Sequence, residues 1–258
     1  MVWGLRIGIA GLPEHLEAVR RRLPSAARLR PAGSRRLDRL YAFAGRRPVT
    51  LEADGSRLGG GSLSQAIVLW RSDLARWVAE HARGGLFVHA GLVAHRGRAI
   101  LIPGRSRSGK TTLVAALVRA GARCLSDEHA VVDGSGRARG AGLGLDHPRA
   151  GRPVRIALVV RTCYQPGARW QPRRLEGGRA LLELLPHVVA ARRRPAEALA
   201  RLRAALARAE VLSGPRGEAR ATAPVLLAAL PPGPTAGARP RRLRRSSAAR
   251  ASGSHGRR

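Results

Sequence analysis

The chain has 258 residues, 44% of them hydrophobic, and its 48 Lys and Arg against 16 Asp and Glu give a formal charge of +32. That length and apolar content support one substantial core, alone or with a small satellite, and exclude a wholly disordered chain or a mini-protein scaffold. No stretch approaches the ~20 unbroken apolar residues of a membrane span, the amino terminus lacks a basic segment followed by an apolar run, and Cys124 and Cys163 are too few for a disulfide framework; a soluble chain in a reducing cytoplasm is expected.

In chain order, Leu5, Ile7 and Ile9 alternate as in a strand, residues 13–23 read as a short helix, and residues 41–51 as two short strands. Gly59-Gly60-Gly61 reads as a loop ahead of a helix over 62–82, in which Ile67, Trp70, Leu74 and Val78 recur at helical spacing and Ser62 or Ser64 is placed to cap. Residues 86–94 and 98–102 are apolar runs joined by His95-Arg96-Gly97, the composition of a tight hairpin. A helix over 111–120, with Leu113, Val114, Leu117 and Val118 on one stripe, stops at Gly121. A strand ending near Leu125, a hairpin across Asp133–Gly136 and a strand over 154–160 continue the sheet.

Beyond Pro172 the pattern turns helical, with helices over 179–191 (broken or kinked at Pro186), 195–209 and 224–230. From Pro231 onward Pro, Gly, Ser and Arg dominate without apolar period, which predicts a disordered basic tail. The chain thus reads as α/β with a mixed β-sheet. A small N-terminal α+β region (1–61) precedes a nucleotide-binding core (62–170), a helical C-terminal part packed on it (171–230) and the tail (231–258).

The strongest signal is Gly104-Arg105-Ser106-Arg107-Ser108-Gly109-Lys110-Thr111, a G-x-x-x-x-G-K-[ST] run between a predicted strand and a predicted helix. Gly104 and Gly109 let the backbone curl so that successive N–H groups face phosphate oxygens, and the following helix adds the positive end of its dipole. Lys110 is placed to reach β and γ phosphates, with the Thr111 hydroxyl on Mg²⁺ and Thr112 following it. Lys110 is the sole lysine; chance would put it in such a pattern about once in a thousand. A compact ammonium suits a gap between phosphates better than a planar guanidinium does. Arg105 and Arg107 read as solvated loop charges.

Phosphoryl transfer also needs a carboxylate to hold metal or accept a hydroxyl proton. Ser126-Asp127-Glu128 lies at the end of the strand after the loop's helix, where an acidic pair faces the phosphates if the chain bends there. His89 sits in the apolar run before the hairpin. Periodicity alone makes it a core residue, while the hairpin places it beside the loop.

Residues 88–93, 103–113 and 120–128 together resemble the catalytic core of HPr kinase/phosphorylase and its kinase relatives, with a histidine on a strand before the phosphate loop and an acidic pair after the loop's helix. The similarity covers about residues 85–133, with a looser likeness from Pro166–Trp170 onward. It implies a P-loop kinase core related in fold to phosphoenolpyruvate carboxykinase, binding ATP and Mg²⁺. By the resemblance, Lys110 and the loop from Gly104 to Thr112 bind the phosphates, and Thr111 and Glu128 serve the metal. Asp127 is the base on an acceptor hydroxyl, and His89 lies near the reacting phosphate. Glu128 stands where the HPr kinases carry a second aspartate, and Arg139-Gly140-Ala141-Gly142 is at best a remnant of their substrate signature.

The expected activity is transfer of the γ-phosphoryl group from ATP to a protein or small-molecule hydroxyl. The rivals are a non-catalytic ATP-binding regulatory module and an Arg-rich nucleic-acid binder. One Lys, no Asn and few Phe or Tyr point to GC-rich coding, which accounts for the choice of Arg. Without residues 238–258, which hold eight Arg and no acid, the charge is still +24, so it is not confined to one binding arm. An aromatic content of 3% offers few rings for base stacking. No membrane partner is expected, and the sequence leaves room for a homo-oligomer.

Overall fold

A computed structural model describes residues 3–23, 31, 36–105, 108–142 and 151–232. The predicted tail from residue 233 onward, and Ser106 and Arg107 of the loop, lie outside the described residues. Among the described residues there are two mixed sheets and six α-helices, and no helix is long and apolar enough to cross a membrane.

The first sheet has the order β1 (Ile7–Ala10), β2 (Arg39–Ala44), β3 (Val49–Ala53), β4 (Ser56–Gly61), with β1 parallel to β2 and the rest antiparallel. Tyr41, Phe43, Val49, Leu51 and Ala53 alternate onto one face. There they meet Val19 of α1 (Pro13–Arg22) and Ile67 and Trp70 of α2 (Leu63–His81). Ser62 caps α2 by accepting from the Gln65 N–H. Gly59-Gly60-Gly61, expected as a loop, is instead the end of β4, paired with Leu51, Thr50 and Val49. A Cβ on Gly59 would lie 2.8 Å from the Leu69 side chain, so the bare backbone lets α2 lie close to the strand.

Asp73, on α2, is buried and accepts from the Tyr41 hydroxyl at 2.8 Å and from Arg39 at 2.7 Å, with Arg76 on its other oxygen. Burial alone would raise its pKa, but the bonds from Arg76, Tyr41 and Arg39 outweigh it and hold the carboxyl below its usual range.

The second sheet has the order β11 (Arg173–Arg174), β12 (Glu210–Arg216), β10 (Val154–Tyr164), β6 (Arg98–Pro103), β5 (Leu86–His95), β8 (His129–Val132), β9 (Arg137–Gly140), with β7 (Arg123–Ser126) also on β5. Because β9 pairs in turn with the start of β10, strands β5, β6, β10, β9 and β8 pair in a cycle. The β5–β6 turn has positive φ at both Arg96 and Gly97, the pairing that matches strand twist.

Alternate residues face two helical layers. Ile100 and Ile102 meet α3 (Lys110–Arg119) and α6 (Ala219–Ala228), while Ala99 and Leu101 belong to the cluster that includes α4 (Gly177–Leu184) and α5 (Pro195–Leu206). The second half of α2 joins the two units, since Val78 and Ala79 pack with Phe87 of β5 and Val131 of β8.

The C-terminal part departs from the helical expectation. It contributes β11 and β12, and β12 runs parallel to β10 inside the sheet. Along β12 the pairing with β11 reaches only to Ser213, so Pro215 sits where the ladder has one neighbour and the missing N–H is tolerated. The helix expected over 179–191 spans Gly177–Leu184 and tightens into a 3₁₀ turn, Leu185–His187, at Pro186. The last helix starts at Ala219 rather than Pro224, with Pro224 inside it at the loss of one backbone bond.

Replacing Asp73 by Ala leaves the Tyr41 hydroxyl and the Arg39 guanidinium facing each other without their shared acceptor. The expected cost is about 3–5 kcal/mol of unfolding free energy, measured by urea denaturation; a loss near zero would show that the network is dispensable.

Candidate phosphate-binding site

Strand β6 ends at Pro103 and the chain turns through Gly104 into α3, whose N-cap, Gly109, has φ +83°. An L side chain is strained there, and a Cβ would also lie 2.6 Å from a guanidinium nitrogen of Arg216. At Gly104 a Cβ would meet the Ser108 hydroxyl at 2.6 Å. Neither motif glycine therefore has room for a side chain, Gly104 on the Ser108 side and Gly109 on the Arg216 side. The same holds for Gly91 on β5, because a Cβ there would press on Val114 at 2.6 Å and touch the Lys110 stem at 3.5 Å.

Lys110 lies against these glycines with 8% of its surface exposed. Its ammonium donates to the Gly104 carbonyl at 3.0 Å and to His89 Nε2 at 3.3 Å. The His89 carbonyl accepts from the Gly104 N–H at 3.4 Å. The histidine expected either in the core or beside the loop is thus half-buried and bonded to the loop on both counts.

His129 on β8 stands directly opposite His89, with ring centroids 5.4 Å apart. Burial pushes the His89 imidazole down to about 4, aided by the charges of Lys110, His129 and His187. His129 and His187 are lowered as well, chiefly by burial. A neutral His89 leaves Nε2 free to accept, which is what the ammonium requires. Lys110 is lowered by burial, against the attraction of Glu128 and Asp127.

The chain does bend at the acidic pair. Ser126 Oγ accepts from the Glu128 and His129 N–H groups at 3.4 and 3.1 Å, and the Glu128 carbonyl accepts from the Ala90 N–H. Asp127 and Glu128 consequently line one cavity of about 780 Å³ together with His89. The Glu128 side chain is 72% exposed and its Oε1 lies 3.8 Å from His129 Nδ1. Thr111 and Thr112 are exposed in the first turn of α3. Arg105 is exposed and, with Ser108, lines a second cleft of about 500 Å³ against Arg161, Arg179 and His187.

Sequence reasoning passed over Arg216. Only 1% exposed, it donates to the Gly109 carbonyl at 2.8 Å and to the Gly217 carbonyl at 2.8 Å, while its Nε has no partner among the described residues. Its guanidinium carbon lies 5.8 Å from the Tyr164 ring centroid. It shares the Gly109 carbonyl with the Leu113 N–H, so a buried positive charge sits against the N-cap of α3. His129, also passed over, directly follows the acidic pair in sequence; Arg216 ends a strand that gave no local signal.

Among the described residues no group of three or more His, Cys, Asp and Glu side chains forms a metal cage. A Mg²⁺ shared between one or two protein oxygens and substrate phosphates needs none. No family model, curated protein or solved structure matches this chain.

Because His89 gains its proton near pH 6.5 in an unfolded chain and near pH 4 in the folded one, its contribution to stability is complete above about 6.5 and is lost as pH falls toward 4. His89→Gln removes that titration. The drop in urea midpoint between pH 7.5 and 5 is expected to be smaller in the variant than in the native chain, and equal drops would contradict the assignment.

Proposed function

We propose that the chain is an ATP-dependent phosphotransferase of the HPr-kinase-like type, built on a P-loop kinase core, that transfers the γ-phosphoryl group of Mg·ATP to an alcohol. The observation that carries this reading is the buried Lys110 ammonium, held between the first glycine of the loop and His89, with Asp127 and Glu128 close enough to raise its proton affinity. A glycine-rich loop at a helix N-terminus, with one localised cation, suits phosphate oxygens. A carboxylate-lined cavity beside it suits the group that attacks them.

In this reading the loop amides and Lys110 bind the phosphates, while Thr111 and Glu128 hold Mg²⁺, which when bound neutralises phosphate charge. The acceptor oxygen attacks the γ phosphorus, forming a new P–O bond as the bond to the β,γ-bridging oxygen breaks. The electron pair leaves on ADP and the acceptor proton passes to Asp127. His89, neutral at pH 7, keeps the Lys110 ammonium aimed across the loop. Arg216 fixes the αL turn at Gly109 that presents the amides.

Transfer of labelled γ-phosphate from ATP into a cell extract tests this directly. Asp127→Asn is expected to slow transfer about 10²–10⁴-fold while ATP remains bound. Undiminished transfer would remove Asp127 as the base. Tight ATP binding by the native chain with no transfer would favour a regulatory nucleotide-binding module.

A further inference from the structure

Two clefts flank the site and differ in chemistry: one is lined by Gly104, Arg105 and Ser108 of the loop, and the other adjoins it through His89, the partner of Lys110. In the cleft against β10 and α4 the carboxylate is Glu183, which is ion-paired with Arg161 at 2.5 Å and lies 3.9 Å from Arg173. In the cavity on the other side the carboxylates are Asp127, Glu128 and Glu80, the last of them on helix α2, which also lines the cavity with Arg71, Ser72 and Arg76. An alcohol that gives its proton to Asp127 has to enter through this second cavity, which leaves the Arg-lined cleft to the nucleotide.

The two arginines of α2 are not equivalent. Arg76 is engaged by the buried Asp73 carboxylate, with Glu80 adding its attraction. Arg71 is partly exposed on the cavity wall and has no carboxylate within ion-pair distance among the described residues. A guanidinium on a cavity wall with no carboxylate paired to it is suited to a bound carboxylate or phosphate, which it can grip with two parallel N–H bonds. A volume of about 780 Å³ lies within the range of small-molecule sites, about 300–1,000 Å³.

Resting on the kinase reading above, we infer that this cavity is the acceptor site, and that the acceptor is a small hydroxylated anion whose alcohol lies at Asp127 and whose carboxylate or phosphate is bound by Arg71. The N-terminal region then has a direct part in specificity. The first sheet holds α2 through Ile67 and Trp70, and the same helix places Arg71 in the lining of the cavity that Asp127 and Glu128 share.

The test measures ADP release by the full chain with Mg·ATP and four probe acceptors: glycerate, glycerol 3-phosphate, neutral glycerol, and a neutral blocked serine peptide. Mg·ATP affinity is measured in parallel. The two anionic alcohols are expected to stimulate turnover at least about tenfold more than glycerol or the peptide. Arg71→Gln is expected to lower kcat/KM for the anions about ten- to hundredfold, with partial recovery in Arg71→Lys. Arg119→Gln, an exposed change of the same charge at the far end of α3, controls for net charge. Stimulation by glycerol or the peptide equal to that by the anions, no stimulation by either anion, or no effect of Arg71→Gln would each overturn the inference while leaving ATP binding intact. Loss of ATP binding in the native chain would instead remove the kinase reading on which it rests.

Discussion

A lysine ammonium with 8% of its surface exposed has given up most of its hydration, and that loss is costly unless polar groups replace the water. Around Lys110 the replacements come from three separate parts of the chain. The loop supplies the Gly104 carbonyl, β5 supplies a neutral His89 nitrogen, and the β7–β8 turn supplies two carboxylates at longer range. Each demands something of the fold. The carbonyl requires a loop tight enough to exclude side chains at Gly104 and Gly109. The imidazole must stay uncharged, which its burial between β8 and the loop enforces, and the carboxylates must bend back toward the loop, which Ser126 arranges by accepting two backbone N–H bonds.

The same constraint gives the outlying parts a role. Strand β12 delivers Arg216 behind Gly109, so the sheet's later strand buttresses the turn that the phosphate loop depends on. Helix α2 is shared between two cores and lines part of the carboxylate-lined cavity. Deleting either element would therefore affect the site without removing any residue of the G-x-x-x-x-G-K-T run.

Much of the central unit was legible because its signals are local. Arg96-Gly97 marks a hairpin, Gly104 and Gly109 bracket the loop, and the Leu113–Val118 stripe marks the helix. The acidic pair was singled out by its place after that helix, but the bend at Asp127-Glu128 was only a condition of that reading, because the Ser126 bonds that make it leave no sequence period. What escaped reading depends on contacts distant in sequence. β12 has few apolar residues and a Gly-Pro pair, and it exists because β10, some fifty residues earlier, offers a parallel edge; Arg216 was hidden with it. β4 ends in three glycines that carry no strand propensity, of which Gly59 fits beneath Leu69 and Gly61 against Gln65. The resemblance to the HPr kinases covered the loop and the acidic turn, not the α2 wall that completes the cavity.

The proposed kinase requires Lys110 and its loop to be a specific phosphate site rather than one more feature of a +32 surface. Calorimetric titration of the native chain and of Lys110→Ala with Mg·ATP, at moderate and at high salt, tests that requirement most directly, because screening weakens diffuse attraction far more than contacts to a buried ammonium. The expected result is binding at both salt concentrations that the single substitution abolishes. Binding that fades with salt and is indifferent to Lys110 would contradict it.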